Sequence, residues 1–296
     1  MESKNKLLLV ANPISGNSGN ETLLKQLELE VAHRNLVLLK YETTGNESDD
    51  KKNILKYVIT HHIRHILVMG GDGTIKFVAE TIYNQDISIG ILPAGSANGL
   101  ASNLKLTDDV ETQIQIALGA HSIAMDLLSI NGHICLHIAD VGINAELIEN
   151  FENSPLRGKL GYALQTIPTL ITSEYPYHFK IQTNNETLEK EGILIAIANA
   201  KQFGTGAMIN PHGKLDDGVF EVVIFKKLDV VDIFKTLNQN SEMDSDFMEF
   251  RSTTKAVITS KKSISLQIDG EFIGKTTKIE ASILQRKLKI MVPKDF

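Results

Sequence analysis

Short apolar segments alternate with amphipathic ones over the first 120 residues or so of this chain. The apolar segments are KLLLVANP, LVLLKYE, HILVMGG and ISIGILPAG, and stretches with helical spacing lie at about 20–33, 47–60, 74–84 and 108–119. This alternation predicts a doubly wound α/β domain, in which helices cover both faces of a parallel sheet. Ligands bind beyond the carboxyl ends of the strands in such sheets, so we expect functional residues in the loops that follow these segments.

The pattern changes after about residue 126. Longer alternating segments follow, among them HICLHIADVGI, YHFKIQT, GILIAIANA and GVFEVVIF, with a helical stretch at 228–238. They predict a second, strand-dominated domain, an antiparallel β-sandwich. A helical pattern at 153–176 contains Leu160, Leu164 and Ile167. It suits either the wall of a lipid-binding cleft or ordinary core packing.

Charge and composition exclude several classes of protein. The formal net charge is −6, so a broad basic surface for nucleic acid is not expected. Cys135 is the single cysteine, and the first residues lack a signal peptide. No apolar run approaches the roughly 20 residues that cross a bilayer. We therefore expect a cytoplasmic protein that contacts membranes only transiently, at their surface. The sequence is compatible with a homodimer and does not fix the oligomeric state.

Three loops of the first domain combine small and polar residues directly after predicted strands. They are NPISGNSG (12–19), GGDGT (70–74) and PAGSANG (93–99). Glycines let the backbone approach an anion closely, and helices that start here offer unpaired N–H groups to a phosphate. Each loop taken alone suits a tight turn equally well. Asp72 favours the phosphate-binding interpretation, because a metal–phosphate complex needs an acidic group and a turn does not.

Two acidic turns lie in the second domain, KLDDGVF (214–220) and QIDGEF (267–272). Asp-Gly is a strong hairpin signal, and a plain turn is the leading interpretation of the first. Glu271 directly follows the second turn and lies between apolar residues. A carboxylate at this position is a candidate general base.

Two other nucleotide motifs and one metal motif are excluded. GEFIGKT (270–276) is one residue too short for a Walker loop, and GDGTIK (71–76) lacks the third glycine of a dinucleotide fingerprint. His61 and His65 have the spacing of a metal site, but no suitably placed carboxylate accompanies them, so a solvated helix face is expected.

The ordered set NPISG, GGDGT, LPAGSANGLA, LDDGVF and IDGE resembles the diacylglycerol kinase catalytic-domain family, which includes bacterial lipid kinases and sphingosine kinases. The likeness covers nearly the whole chain. It implies an α/β nucleotide-binding domain at 1–126, to which 284–296 returns, and a β-rich lipid-binding domain at 127–283, with the active site in the cleft between them.

The resemblance also implies roles for individual residues. Glu271 matches the general base, and Asp269 and Asp72 are further catalytic candidates. The implied ATP-binding positions are Asn12, Ser15, Gly16, Gly70, Gly71, Asp72, Gly73, Thr74, Gly95, Ser96 and Asn98. Asp217, with the backbone carbonyls of Lys214 and Val219, matches a structural Mg²⁺ site. The implied cofactors are ATP and Mg²⁺, and the implied acceptor is a lipid alcohol at a membrane surface.

This chain departs from the family pattern at several positions. Lys76 and Phe77 stand where many members have Asn and Glu, and Asn98-Gly99 replaces Asn-Asp. The third loop is closer to the sphingosine-kinase form, which leaves open whether the acceptor is diacylglycerol or a sphingoid-type alcohol. Two alternatives also stay open: an NAD kinase, because that class shares GGDGT, and a non-catalytic nucleotide or lipid sensor.

Overall fold

The computed structural model describes residues 5–13, 19–95, 98–152, 176–202, 208–227 and 246–296. The chain forms two compact units, the first made of Met1–Met125 and Arg286–Phe296 and the second of Asp126–Gln285. Several predictions fall outside the described residues. They concern the helical stretch at 228–238, the apolar residues Leu160, Leu164 and Ile167, and the loop residues Ser15, Gly16 and Ser96.

The first unit alternates strands and helices along the chain. Its elements are β1 (Lys6–Ala11), α1 (Gly19–His33), β2 (Val37–Glu42), α2 (Glu47–His61), β3 (His65–Gly70), α3 (Asp72–Ile82), β4 (Ser88–Pro93), α4 (Gly99–Asn103) and α5 (Val110–Ala117). The strand order is β2-β1-β3-β4, and these neighbours are parallel. The last residues of a long strand, β14 (Glu271–Met291), pair in parallel with β4 through Lys289 and Ile290.

Alternate side chains of the central strands build a core on each face of this sheet. Leu7 and Leu9 of β1 pack in one cluster with Leu27 of α1 and Ile114 of α5. Leu8, the neighbour that points to the other face, is also fully buried. Strands buried on both faces explain the continuous apolar segments of the sequence, and the predicted α/β class is confirmed.

Helix α2 shows why the sequence places its boundaries where it does. Asn46 precedes the helix, and its side chain accepts a hydrogen bond from the Asp49 N–H. Asp50, in the first turn, accepts hydrogen bonds from Tyr41 Oη at 2.6 Å and from the Thr44 N–H at 3.0 Å. These bonds fix the loop that joins β2 to α2.

The two histidines with metal-like spacing belong to different elements. Helix α2 ends at His61, and His65 opens β3. The His65 Nδ1 lies 2.7 Å from Ser88 Oγ, and its Nε2 lies 2.8 Å from the carbonyl oxygen of Ala117. The expectation of a solvated helix face is therefore wrong for His65, because this side chain ties β3 to β4 and to the end of α5.

The second unit consists of strands and one described helix. Its elements are β5 (Ser122–Ile130), β6 (His133–Cys135), β7 (Ile138–Gly142), α6 (Ile143–Glu152), β8 (Tyr177–Thr183), β9 (Thr187–Gly192), β10 (Leu194–Ala198), β11 (Phe220–Phe225), β12 (Met248–Thr253), β13 (Lys255–Ile268) and the first part of β14. The β5 strand enters this unit at Asp126.

The strands of the second unit pair in antiparallel fashion, in the order β12-β11-β10-β7-β13-β14, and β8 joins β13 to β9. Two contacts join the β8-β9 hairpin, at the end of this branch, to β12, the first strand of the path. Lys190 of β9 lies 2.9 Å from Glu249 of β12, and the Asn184 N–H donates to Thr253 Oγ1. The sheet therefore curls around one apolar core, as the prediction of a β-rich domain requires.

Candidate active site

Four neighbouring strands of the first unit end at the same edge of the sheet, and hydrogen bonds join their ends. The Asn12 N–H donates to the Met69 carbonyl at 3.3 Å, the Thr43 N–H to Ala11 at 2.9 Å, and the Ala94 N–H to Gly70 at 3.0 Å. The chain therefore leaves β1, β2, β3 and β4 side by side at this edge. This edge is where a doubly wound sheet binds its ligand.

Two of these loops touch backbone to backbone. A Cβ atom added to Gly95 would lie 2.5 Å from the Gly71 Cα, and one added to Gly71 would lie 3.1 Å from the Gly95 Cα. A Cβ on Gly70 would lie 2.6 Å from Thr74 Oγ1. A side chain at Gly95 would push the two loops apart, whereas one at Gly71 would need the facing backbone to shift by a few tenths of an ångström. The glycines of GGDGT and PAGSANG thus serve one shared contact.

Asp72 and Asn98 fix the second and third loops to each other. Asp72 Oδ2 accepts the Gly99 N–H at 2.8 Å, and its Oδ1 accepts the Leu100 N–H at 3.0 Å. The Asn98 side chain accepts the Gly95 N–H at 2.9 Å and donates to the Gly95 carbonyl at 3.0 Å. Asp72 therefore caps α4 in this structure. Its predicted place beside a metal–phosphate complex stays a prediction.

Helix α3 begins at this edge, directly after the Gly70-Gly71 pair. The first intrahelical backbone bond runs from the Ile75 N–H to the Gly71 carbonyl. The N–H groups of the preceding residues, Gly73 and Thr74, are those that a helix N-terminus leaves for an external partner. The terminus also carries positive partial charge, so the site suits an anion such as a phosphate.

We expect Gly95→Ala to destabilise the protein more than Gly71→Ala does. The added methyl group would lie 2.5 Å from backbone in the first variant and 3.1 Å in the second. Overpacking of this kind typically costs about 1–3 kcal/mol. Melting temperatures of the two variants test the order. Equal melting temperatures for both variants and the wild type would show that the loops separate without cost.

Glu271 occupies the first position of β14, after a two-residue hairpin. Asp269 and Gly270 have φ angles of 53° and 88°, and Ile268 pairs with Glu271 across the turn. Two consecutive residues with positive φ are typical of a type I′ hairpin, for which Asp-Gly is well suited. Glu271 is exposed. The chain thus places this carboxylate, exposed to solvent, at the end of a short and tightly defined turn.

Asp269 turns its carboxylate away from solvent. It accepts the N–H groups of Leu136 at 2.9 Å and His137 at 3.0 Å, and its Oδ1 lies 2.9 Å from His137 Nδ1. The Asp269 side chain is only 2% exposed. The family resemblance implied that Asp269 is a further catalytic residue, and in this geometry Asp269 anchors the hairpin. A direct part in proton transfer stays a prediction.

The turn before β11 carries the residues implied to hold a metal. Asp217 is exposed, and its Oδ1 accepts the Val219 N–H at 3.2 Å. The buried Asp126 accepts the Gly218 N–H at 2.7 Å, and its own N–H donates to the Leu215 carbonyl. Among the described residues, no group of three or more His, Cys, Asp or Glu side chains could hold a metal ion. One carboxylate with backbone carbonyls still suits Mg²⁺, which prefers oxygen ligands.

Sequence analysis missed the loop after β2. Thr43, Thr44 and Gly45 lie at the same sheet edge as the three loops that were singled out, and Asp50 holds Thr44 and Gly45 by their N–H groups. The signal was present, because a polar and glycine-containing loop follows an apolar segment here too. Three residues at the departures from the family pattern are built into the fold: Lys76 is 7% exposed in α3, Phe77 beside it is half-buried, and Gly99 is buried.

Family models match most of the chain. Residues 6–130 match the diacylglycerol kinase catalytic domain. Residues 138–292 match the YegS C-terminal NAD kinase beta sandwich-like domain. The chain belongs to the diacylglycerol kinase catalytic-domain family. The predicted family and the predicted class of enzyme, a lipid kinase, are thereby confirmed.

Individual relatives agree with this assignment. A protein named "Probable lipid kinase YegS-like" from Enterobacter sp. (strain 638) is 24% identical over 290 residues, which are 95% of each chain. A protein of the same name from Shewanella frigidimarina is 24% identical over 256 residues, 83% of this chain and 82% of that one.

Solved structures show the same fold. A structure from Bacillus anthracis str. Sterne aligns over 100% of both chains with a TM-score of 0.80 at 22% identity. A diacylglycerol kinase from the same organism covers 100% of this chain and 99% of that one, with a TM-score of 0.73 at 17% identity. The predicted combination of an α/β and a β-rich domain is confirmed. The described helices include none that is long and apolar enough to span a membrane.

Proposed function

We propose that this protein is an ATP- and Mg²⁺-dependent kinase that transfers the γ-phosphoryl group to the hydroxyl of a lipid alcohol, either diacylglycerol or a sphingoid-type alcohol. The observation that carries the proposal is the edge of the parallel sheet, where glycine loops meet the N-terminus of α3 and Asp72 ties two of the loops together. Family membership supports phosphoryl transfer as the reaction at this edge.

The nucleotide phosphates are the ligands that this edge suits best. The first N–H groups of α3 face an anion, and the close glycine contact leaves no side chain to keep a phosphate away from the backbone. The loop after β2 places Thr43 at the same edge of the sheet, next to the end of β1. Bound Mg²⁺-ATP supplies the phosphoryl group and the metal charge that neutralises it. The protein's own part at this edge is to hold and orient the nucleotide.

Glu271 is the residue that we place at the hydroxyl of the lipid alcohol. A lipid hydroxyl is a weak nucleophile until its proton can leave, and a carboxylate in hydrogen-bond reach accepts that proton. Glu271 is exposed on a hairpin whose backbone Asp269 holds firmly. We assign it the role of general base. The acceptor would be taken from the surface of a membrane, since a lipid alcohol resides there.

Asp217 is the side chain that would hold a structural Mg²⁺ at the turn before β11. We expect Asp217→Ala to lose the rise in melting temperature that Mg²⁺ gives the wild type relative to EDTA, because a ligand that binds only the native state stabilises that state. The lost hydrogen bond from the Val219 N–H also acts in EDTA, so the quantity to compare is the shift between EDTA and Mg²⁺. Asp216→Ala is the matched control, since Asp216 is the adjacent exposed acid. If Mg²⁺ stabilises the Asp217 variant as much as the wild type, Asp217 does not hold the metal.

One experiment tests the proposed reaction against its alternatives. Purified protein is incubated with labelled ATP and Mg²⁺ and with either a total lipid extract or NAD, and labelled products are identified by mass spectrometry. The proposal predicts a phosphorylated lipid and no labelled NADP. Labelled NADP alone would establish an NAD kinase. Nucleotide binding without any labelled product would favour a sensor.

A further inference from the structure

A buried amide connects the Glu271 hairpin to a buried carboxylate in the second unit. The amide belongs to Gln267, four residues before Glu271 on β13, and its side chain is 1% exposed. The carboxylate belongs to Asp140, on the neighbouring strand β7 and 0% exposed. The two residues are direct partners in the pairing of the strands. None of the roles assigned above uses either of them.

The Gln267 amide has one defined orientation. Its Oε1 accepts the Gly270 N–H at 2.7 Å, and its Nε2 donates to Asp140 Oδ2. The Gly270 N–H can only donate, so the amide oxygen must point towards the hairpin. The amide nitrogen then points at Asp140 and donates a hydrogen bond to Oδ2 of that carboxylate. Asn144 Nδ2 also donates to that oxygen, at 2.7 Å.

The polarity of these positions needs an explanation beyond packing. Gln267 lies between Leu266 and Ile268 on a strand whose last five residues are all buried. An apolar side chain would be the default there, because a buried amide costs free energy unless its hydrogen bonds are made. Hydrogen bonds at both ends of the Gln267 amide instead fix one geometry. In this unit, the geometry that it fixes is that of the Asp269-Gly270 turn.

We propose that Gln267 is a positioning residue for the kinase reaction, held in orientation by Asp140 and fixing the Gly270 end of the hairpin so that Glu271 meets the acceptor hydroxyl. Asp269 anchors the other end of the turn to the backbone of residues 136–138. The two anchors act on adjacent residues of a two-residue turn, so loss of either one lets the Glu271 backbone move. This inference rests on the proposed function.

Three variants test the inference. Gln267→Met removes both amide bonds at similar length. Gln267→Glu keeps an acceptor for Gly270 but places a second carboxylate against Asp140. The double variant Asp140→Asn with Gln267→Glu reverses the polarity of the pair, because the amide introduced at position 140 can donate to the carboxylate introduced at position 267 while Asn144 turns its own amide. Ser265→Ala is the matched control: Ser265 is 1% exposed on the same strand and bonds Glu149 instead.

We expect both single Gln267 variants to lower kcat by about 10- to 100-fold, as small misplacements of a reacting group do, with the KM for ATP unchanged. The double variant should recover most of the kcat lost in Gln267→Glu, and Ser265→Ala should match the wild type. Exchange of the Gly270 amide hydrogen gives a second readout that needs no substrate. It should be faster in Gln267→Met and close to the wild type in Ser265→Ala.

Several outcomes would overturn the inference. Normal kcat in a folded Gln267→Met variant would show that the hairpin needs no such anchor. A raised KM for the lipid with unchanged kcat would place Gln267 or Asp140 at the acceptor itself. Failure of the double variant to exceed Gln267→Glu would remove Asp140 from the network. If the wild type phosphorylates no lipid, the proposed function fails and the inference fails with it, whereas the other outcomes arise in an active enzyme and overturn the inference alone.

Discussion

Glu271→Gln is expected to reduce lipid phosphorylation by about 10²–10⁴-fold, the usual contribution of a general base, while ATP binds with unchanged affinity. Glutamine preserves the length of the side chain and its place after the hairpin, so the loss would report on the proton and not on the fold. The loops that we propose to bind the nucleotide belong to the other unit. The measurements are kcat with a lipid acceptor and the dissociation constant for ATP.

Two further variants make this result specific to Glu271. Glu280→Gln is the matched control, since Glu280 is another exposed glutamate of β14 and pairs with Lys278. It should leave turnover unchanged. Asp269→Asn should lower the melting temperature as well as turnover, because it weakens the anchor of the hairpin. If Glu271→Gln is fully active and a folded Asp269→Asn is not, the general base is Asp269.

The helices and strands of the first unit could be predicted closely because local and tertiary signals agree there. The expected helix at 47–60 is α2 at Glu47–His61, and the one at 20–33 is α1 at Gly19–His33. In the second unit the agreement is weaker. HICLHIADVGI was expected to be one strand, but it forms β6 and β7, and α6 follows directly from Ile143. Its short apolar segments suit a strand and a buried helix equally, so pattern alone does not separate them.

The candidate site was predicted at the level of loops and not at the level of contacts. Glycine content and position after a strand identified GGDGT and PAGSANG, since those signals are local. That Asp72 would bond the N–H groups of Gly99 and Leu100 depends on two loops meeting in space, and no spacing along the chain shows it. The same holds for the bonds between Asp269 and Leu136 and between Gln267 and Asp140, each of which joins residues more than 100 positions apart.

Two buried aspartates of this protein have opposite electrostatic environments. Asp50 is buried, which favours the neutral form, but hydrogen bonds from Tyr41, Thr44 and Gly45 outweigh burial and lower the pKa of its carboxyl group. At Asp140, burial dominates over the hydrogen bonds from Asn144, Gln267 and Ala145 and raises the pKa to about 7. The first carboxylate is stabilised as an ion by its donors, and the second has too few donors to offset the loss of water.

These environments predict opposite effects of pH on the two units. A carboxyl group with a raised pKa binds its proton more tightly in the folded state, so its contribution to stability is present below the unfolded pKa of about 4 and is lost as the pH rises to 7. For Asp140 the difference between the unfolded and folded pKa corresponds to about 4 kcal/mol across that window. Asp50 has a lowered pKa, so its contribution is present above the unfolded pKa of about 4 and is lost as the pH falls.

Asp140→Asn should therefore remove most of the decline in stability between about pH 4 and pH 7 in the second unit. The carbonyl oxygen of the amide introduced at this position can still accept hydrogen bonds from Asn144 and Gln267, so the packing of α6 on β7 should survive.

Amide hydrogen exchange in β7 and β13 measures the free energy of opening in this unit separately from the other. Amides of α2 serve as the internal control, and Asp50→Asn should weaken their protection mainly above about pH 4. If the stability of β7 and β13 changes with pH in Asp140→Asn as it does in the wild type, Asp140 is not the group that titrates, and burial does not hold its proton.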